Sequence, residues 1–162
     1  MLAGMGSERT LVVVRHAKSD WNHDLPDDQR PLAPRGRRDA PAVGRWLEAN
    51  VGALDLVVCS TAVRARETFG LAAVSATEVR HDERVYAASY QDLMSVLDEL
   101  PPDVGTTVLV GHNPGLSDLV GMLTGEPLEL KTSSVAVLTW QGGWPDVWAR
   151  RASLVSHATP RG

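Results

Sequence analysis

The chain has 162 residues, and a domain commonly holds about 150, so we expect one compact domain over residues 1–162, with residues 1–9 as a flexible N-terminus. Hydrophobic residues make up 43% of the chain and charged residues 22%, which excludes a disordered or collagen-like protein. The 16 basic and 20 acidic residues give a net charge of −4. Bulk attraction to nucleic acid or to an anionic membrane is therefore not expected.

Cysteine content and hydropathy predict a cytoplasmic protein. Cys59 is the one cysteine, so an internal disulfide is excluded and a reducing compartment is favoured. Residues 1–10 hold no apolar stretch of signal-peptide length, and no later segment approaches the roughly 18 apolar residues of a membrane helix.

Four short, unbroken apolar runs are typical of strands that are buried on both faces of a parallel sheet. They are residues 11–14, 56–58, 108–110 and 135–138. Segments with helical spacing separate these runs, which predicts an α/β fold. The predicted helices cover residues 37–50, residues 61–74 with Ser60 or Thr61 as N-cap, a segment that opens at Ser89 or Gln91 and ends before residues 101–102, and a segment from Pro114 to just before Gly125.

Two segments carry less regular signals. Residues 135–140 and 147–154, joined by glycines at 142–143, predict a hairpin at one sheet edge. Residues 22–35 are rich in Asp and Pro and predict a loop that covers a site. The aromatic group of Trp140, Trp144 and Trp148 either packs at the hairpin edge, which we favour, or forms a contact surface. The oligomeric state stays open.

Polar residues follow three of the predicted strands directly. The first strand leads into Arg15 and His16, the second into residues 59–61 with Arg64 one turn later, and the third into residues 111–113, which include His112. Ligands of open α/β sheets bind beyond the carboxyl ends of the strands. We therefore expect two histidines and two arginines to meet there.

An imidazole beside guanidinium groups stays neutral and nucleophilic at neutral pH, because a cationic neighbour disfavours its protonation. Arginines also neutralise the oxygens of a phosphoryl group in transfer. This combination predicts phosphoryl capture, with no metal and no other cofactor. Taken one at a time, each histidine is equally well explained as an ordinary strand-end residue, and a surface ion pair is the commoner role of an arginine. Their joint placement beyond three strand ends favours a site.

Other reactive residues are less promising. Cys59 follows a buried strand and is expected to be a small apolar core residue, and Ser117 lies inside a predicted helix without the glycines of a nucleophile elbow. An acidic and histidine cluster in the loop is expected to be a solvated lid rather than a cation cage; it comprises Asp20, His23, Asp24, Asp27 and Asp28.

Sequence blocks across the chain carry a family resemblance. They are L-V-V-V-R-H at 11–16, R-H-A-K-S-D-W at 15–21, R-P-L-A-P-R-G at 30–36, S-T-A-V-R-A-R-E-T at 60–68 and V-G-H-N-P-G-L at 110–116. In their order and spacing, from residue 11 to about residue 140, they resemble the histidine phosphatase (phosphoglycerate mutase-like) superfamily and its small SixA-type phosphohistidine phosphatases.

The resemblance implies a three-layer α/β/α sandwich with a mostly parallel sheet and without the inserted lid lobe of larger relatives. It implies that His16 attacks phosphorus to form a transient phosphohistidine, which water then hydrolyses. Arg15, Arg64 and His112 are implied to form the phosphate pocket. Without a lid lobe the pocket is expected to be shallow and open, which suits a phosphorylated side chain of another protein.

The proton donor is less defined. Glu83 matches the position of the carboxylate in mutase-like members, with Asp82 as the second choice. Glu83 is equally well explained as a cap or as a partner of Arg84. Position in the sequence alone suggests that Ser19, Asn22 and residues 132–134 contact the substrate.

The leading hypothesis is thus a metal-independent phosphatase that acts on phosphohistidine in proteins. A second is a general phosphomonoesterase for small phosphorylated metabolites or nucleotides. The third is a module that binds phosphorylated partners without turning them over. No nucleic acid or membrane partner is expected.

Overall fold

The computed structural model describes residues 7–22 and 24–162. Its six strands are β1 (Glu8–Arg15), β2 (Leu54–Cys59), β3 (Ala76–His81), β4 (Thr106–Gly111), β5 (Val135–Gln141) and β6 (Ser153–Ala158). Its α-helices are α1 (Pro34–Asn50), α2 (Val63–Ala72), α3 (Tyr90–Asp98), α4 (Gly115–Thr124) and α5 (Val147–Arg150). The strands form one sheet in the order β3-β2-β4-β1-β5-β6.

The sheet is mostly parallel, as the sequence predicts. Strands β1 and β4 pair in parallel, and so do β2 with β4 and β2 with β3, whereas β5 runs antiparallel to both of its neighbours. Arg15 is level with Gly111 in the register of β1 and β4. The carboxyl ends of β1, β2 and β4 therefore lie side by side at one end of the sheet.

Helices cover both faces of the sheet, which confirms the three-layer α/β/α arrangement. Even-numbered residues of β1 pack with α1 and α2, while odd-numbered residues pack with α3 and α4. Because successive side chains of a strand point to opposite faces, a strand covered on both sides reads as an unbroken apolar run. Leu11, Val12 and Val13 are fully buried for this reason.

The sequence pattern does not predict the strand β3. It lies at the sheet edge, and five of its six residues are exposed. Glu78 and Arg80 form an ion pair on it. Charged side chains are common on edge strands, where they discourage pairing with other chains, and they remove the apolar run that reveals a buried strand.

The predicted hairpin is right in its pairing and wrong in its bounds. Strands β5 and β6 are antiparallel at the sheet edge, but β6 begins at Ser153, and residues 142–152 form a longer connection with a 3₁₀ turn and α5. Trp144 is buried in this connection, stacks edge to face on Trp140, and donates its indole N–H to the Val104 carbonyl. Because this ring is buried in the core, the connection between the two strands is longer than a tight turn.

The favoured packing at the hairpin is found for Trp140 and Trp144, which are buried, whereas Trp148 is half exposed.

The helix predictions hold within a few residues, and Ser89 caps α3 with Asp92 in a capping box. The predicted N-cap of α2 is wrong, since Ala62 occupies that position without a side-chain hydrogen bond. Residues 1–6 of the predicted flexible N-terminus lie outside the described residues, while residues 8 and 9 belong to β1. Over residues 7–22 and 24–162, no helix is long and apolar enough to cross a membrane.

Candidate active site

A cavity of about 260 Å³ lies at the carboxyl ends of β1, β2 and β4. It is lined by Arg15, His16, Lys18, Ser19, Trp21, Asp27, Arg30, Arg64, His112, Asn113 and Thr132. The structure thus brings together four of the five predicted site residues. Their positions follow from the strand register and from the first turn of α2.

His16 is the first residue after β1 and is buried. Its backbone N–H donates to the Gly111 carbonyl at 3.1 Å, and its ring Nδ1 lies 2.7 Å from the Ala17 carbonyl oxygen. A carbonyl oxygen only accepts hydrogen bonds, so Nδ1 carries the ring proton. Nε2 therefore keeps its lone pair, and the ring that carries it lines the cavity.

His112 follows β4 and lies beside His16, with 5.1 Å between the ring centroids. Its Nε2 is 2.8 Å from the Ser60 Oγ, which also accepts the backbone N–H of Ala62. When the Ser60 hydroxyl donates to Nε2, Nδ1 of His112 carries the proton. This Nδ1 is buried and has no hydrogen-bond partner among the described residues. In that tautomer it is a donor without a partner, on a ring that lies beside His16.

Both imidazoles are held neutral by their surroundings. Burial is the main cause that lowers the pKa of His16 to about 3, and His112, Arg64 and Arg15 lower it further against the Ala17 hydrogen bond. Burial is also the main cause that lowers the pKa of His112 to about 4, with Arg64 next. A neutral His16 is therefore available as a nucleophile throughout the neutral range.

These pKa values predict a loss of stability in acid. A pKa below the unfolded value of 6.5 means that the unfolded chain binds more protons than the folded chain. The free energy of unfolding should fall as the pH drops from 6.5 toward 4 for His112 and toward 3 for His16, by up to about 1.4 kcal/mol per pH unit for each. Urea unfolding between about pH 7 and about pH 4.5 measures it, with His112→Gln as the comparison. Equal pH slopes for both proteins would contradict the assignment.

The two arginines contribute donors at the same cavity. The Arg15 Nη1 donates to the Leu130 carbonyl, and the Arg64 Nη1 and Nη2 donate to the Asp27 carbonyl and carboxylate. The Nε atoms of both arginines are buried without a partner in the described part of the chain. A buried donor without a partner is costly, and an oxyanion in the cavity is the kind of ligand that satisfies it.

Asp27 and Tyr86 were not predicted as site residues. The Tyr86 hydroxyl donates to the Asp27 carboxylate at 2.6 Å, and the Tyr86 ring packs edge to face on His112. The Tyr86 hydrogen bond, followed by Arg64, holds the pKa of Asp27 well below its usual range. Asp27 is thus a carboxylate rather than a proton donor near neutral pH. It joins the 3₁₀ turn at residues 27–29 to Arg64 of α2.

Glu83 lies in a 3₁₀ turn just after β3, and its side chain is exposed. Of the described residues, those that line the cavity include neither Glu83 nor Asp82. Asp82 caps this turn and pairs with Arg84, and these are the two structural roles that the sequence offers as the alternative for Glu83. The role of Glu83 as proton donor stays a prediction.

Of the other residues that the sequence suggests as substrate contacts, some line the cavity and others do not. Ser19 and Thr132 line the cavity, whereas Asn22 is exposed and outside the lining. Ser133 is buried and donates its backbone N–H to the carbonyls of Arg15 and His16, so it supports the end of β1. Cys59 is fully buried, and burial raises the pKa of its thiol to about 12.

The acidic loop does not assemble a cation site in the part of the chain that can be described. His23 lies outside that part, and among the described residues no group of three or more His, Cys, Asp and Glu side chains is placed to hold a metal ion. Asp27 instead pairs with Arg30 and Arg64.

Comparison with known proteins identifies the family of this chain. A sequence profile of the histidine phosphatase superfamily (branch 1) matches residues 11–102, more than half of the chain. An uncharacterized protein of Mycobacterium tuberculosis is 39% identical over 159 residues, which cover 91% of this chain and 100% of that protein. An uncharacterized chloroplastic protein of Arabidopsis thaliana is 30% identical over 155 residues, 87% of this chain and 71% of that protein.

Solved structures give the same answer for the fold. A SixA protein from Nakamurella multipartitia superposes with a TM-score of 0.87 at 31% identity, covering 94% of this chain and 96% of that chain. A SixA structure complexed with tungstate superposes with a TM-score of 0.80 at 19% identity, covering 93% and 97%. The chain belongs to the histidine phosphatase superfamily and has the phosphoglycerate mutase-like fold of its SixA-type members.

Proposed function

We propose that this protein removes phosphate from phosphohistidine side chains of other proteins, through a covalent phosphohistidine on His16. The observation that carries the proposal is the Ala17 hydrogen bond, which fixes the proton on Nδ1 and leaves the Nε2 lone pair of a neutral ring. The name of the Nakamurella multipartitia relative places that protein among the phosphohistidine phosphatases. The family and the geometry therefore support the same chemistry.

In the first step the phosphoryl group is held by the donors that lack partners. The Nε atoms of Arg15 and Arg64 and the Nδ1 of His112 donate to its oxygens and neutralise their charge. The Nε2 of His16 then attacks phosphorus as the P–N bond to the substrate ring breaks, and the electron pair of that bond stays on the leaving nitrogen. Positive charge arises on the His16 ring, where the Ala17 carbonyl already accepts the Nδ1 proton.

In the second step water attacks the phosphoryl group on His16. The P–N bond to Nε2 breaks, the water loses a proton to phosphate or solvent, and neutral His16 returns with its Nδ1 proton in place. The charge neutralisation in both steps comes from arginine side chains. We therefore propose that turnover is independent of metal ions, and that residues 1–162 work as one catalytic domain in the cytoplasm.

The choice of phosphohistidine over phosphate esters rests on the supply of protons. An ester leaves as an alkoxide and needs a proton donor, whereas a phosphorylated imidazole that carries a proton on its other nitrogen leaves as a neutral ring. Asp27 is ionised in this cavity, and the exposed Glu83 is not among the described residues that line it. Without a proton from Glu83, alkyl esters lose at least about 10² in rate, because general acids contribute about 10² to 10⁴.

Turnover of three substrates in the presence of a metal chelator tests the proposal. The substrates are a phosphohistidine protein, a phosphoserine peptide and an aryl phosphate. We expect kcat/KM for the phosphohistidine protein to exceed that for the phosphoserine peptide by about 10². Faster turnover of the two esters would instead indicate a general phosphomonoesterase. Binding of phosphate without turnover of any substrate would indicate a phosphate-binding module.

A further inference from the structure

Trp21 is the most exposed large hydrophobic residue among those described, with 69% of its surface accessible to solvent. It nevertheless lines the same cavity as His16 and Arg64. The buried tryptophans Trp140 and Trp144 differ from it, since both donate their indole N–H to a backbone carbonyl in the core. Trp21 thus presents a broad aromatic surface at the entrance of the phosphate pocket.

The position of the Trp21 ring is fixed from below by Arg30. The Arg30 guanidinium lies 3.4 Å from the ring centroid, and Arg30 itself is only 5% exposed. Its Nε donates to the Asp27 carboxylate, and its Nη1 donates to the Ser19 hydroxyl. A guanidinium that stacks on one face of an indole holds it in place. The other face is left to solvent.

The same carboxylate connects this ring to the phosphate pocket. Asp27 accepts from Arg30 through Oδ1 and from Arg64 through Oδ2. The positions of the ring and of the phosphate-binding arginine are therefore coupled through one side chain. Because Trp21 both lines the cavity and is exposed, it is placed to meet a group that extends toward solvent from a phosphoryl held at Arg64 and His16.

We propose that Trp21 stacks on a planar leaving group and so selects phosphorylated aromatic rings, the imidazole of phosphohistidine above all, over phosphorylated alkyl chains. Aromatic rings gain energy from offset or edge-to-face contact beyond the burial of their surface. An alkyl chain of a serine or lysine side chain lacks that gain. The choice of imidazole rests on the proposed function, whereas the preference for planar groups does not.

Binding of two unreactive phosphonates tests the stacking without any turnover. The dissociation constants of phenylphosphonate and butylphosphonate are measured by calorimetry for the wild type, Trp21→Leu and Trp21→Phe. We expect Trp21→Leu to weaken phenylphosphonate about tenfold and butylphosphonate less than twofold, and Trp21→Phe to retain most of the affinity. Trp148→Leu, at a half-exposed tryptophan outside the cavity, should change neither. Equal weakening of both phosphonates by Trp21→Leu, or no weakening, would overturn the proposal.

Turnover of two phosphoramidates then separates the two proposals. A phosphohistidine peptide and a phospholysine peptide share the P–N bond and differ in the planarity of the leaving group. Trp21→Leu should lower kcat/KM about tenfold for phosphohistidine alone. An equal loss for both peptides would overturn the role of Trp21 in selection. If the wild type cleaves neither peptide but the phosphonate pattern is present, the proposed function fails and the stacking stands.

Discussion

Replacement of His16 by alanine is expected to lower turnover by at least about 10⁴-fold, because the variant lacks the only group proposed to attack phosphorus. Phosphate release from a phosphohistidine protein measures this loss. The variant should still bind inorganic phosphate, since Arg15, Arg64 and His112 remain. His157→Ala is the matched control, because His157 is exposed on β6 and outside the cavity. Turnover by His16→Ala within tenfold of the wild type would contradict the assigned nucleophile.

Replacement of Arg64 by lysine is expected to lower kcat/KM by about 10² to 10³, although the positive charge is kept. The Arg64 Nη atoms hold the backbone carbonyl and carboxylate of Asp27, while its Nε has no partner in the described part of the chain. A lysine ammonium is a single point of charge and cannot keep this forked geometry. Steady-state kinetics with the same phosphohistidine protein measure the loss.

Arg66→Lys is the control for that substitution. Arg66 lies two residues further along α2, is exposed and is outside the cavity, so its replacement should leave kcat/KM unchanged. If both lysine variants keep wild-type kinetics, charge alone suffices at this position, and the role of the guanidinium is wrong.

The centre of the fold was predictable because its strands are buried on both faces. The runs at 11–14, 56–58 and 108–110 became β1, β2 and β4, whose shared edge brings His16, His112 and Arg64 to one cavity. Burial on both sides demands apolar residues, and the polar residues that follow then mark the strand ends. Local sequence therefore carries the information for these elements.

Other features depend on contacts that local sequence does not encode. Arg64 and Tyr86 reach Asp27 across 37 and 59 residues, and Ser60 reaches His112 across 52. The sequence shows each of these residues as an ordinary polar side chain. The edge strand β3 and the connection that contains Trp144 escaped prediction for a related reason. Charged side chains on β3 remove the apolar run that marks a strand, and the path of the connection depends on the burial of one ring, so neither segment shows a regular apolar period.

Close approach of backbone also explains a motif glycine. Gly36 lies near the start of α1, and a Cβ atom there would collide with the Lys18 carbonyl. The Ala33 N–H donates to that same carbonyl at 2.9 Å. The absence of a side chain thus allows α1 to pack on the segment that follows β1 and His16.

A single turnover with enzyme in excess over a phosphohistidine protein that carries a radiolabelled phosphoryl group tests the covalent step on His16. Samples are quenched in alkaline denaturant, which preserves phosphohistidine, and bound label is mapped by digestion. We expect label to appear transiently on the enzyme peptide that contains His16 before free phosphate forms, and to be absent from His16→Ala. Release of labelled phosphate with no labelled enzyme at any time, or label on an enzyme peptide that lacks His16, would contradict the covalent step on His16.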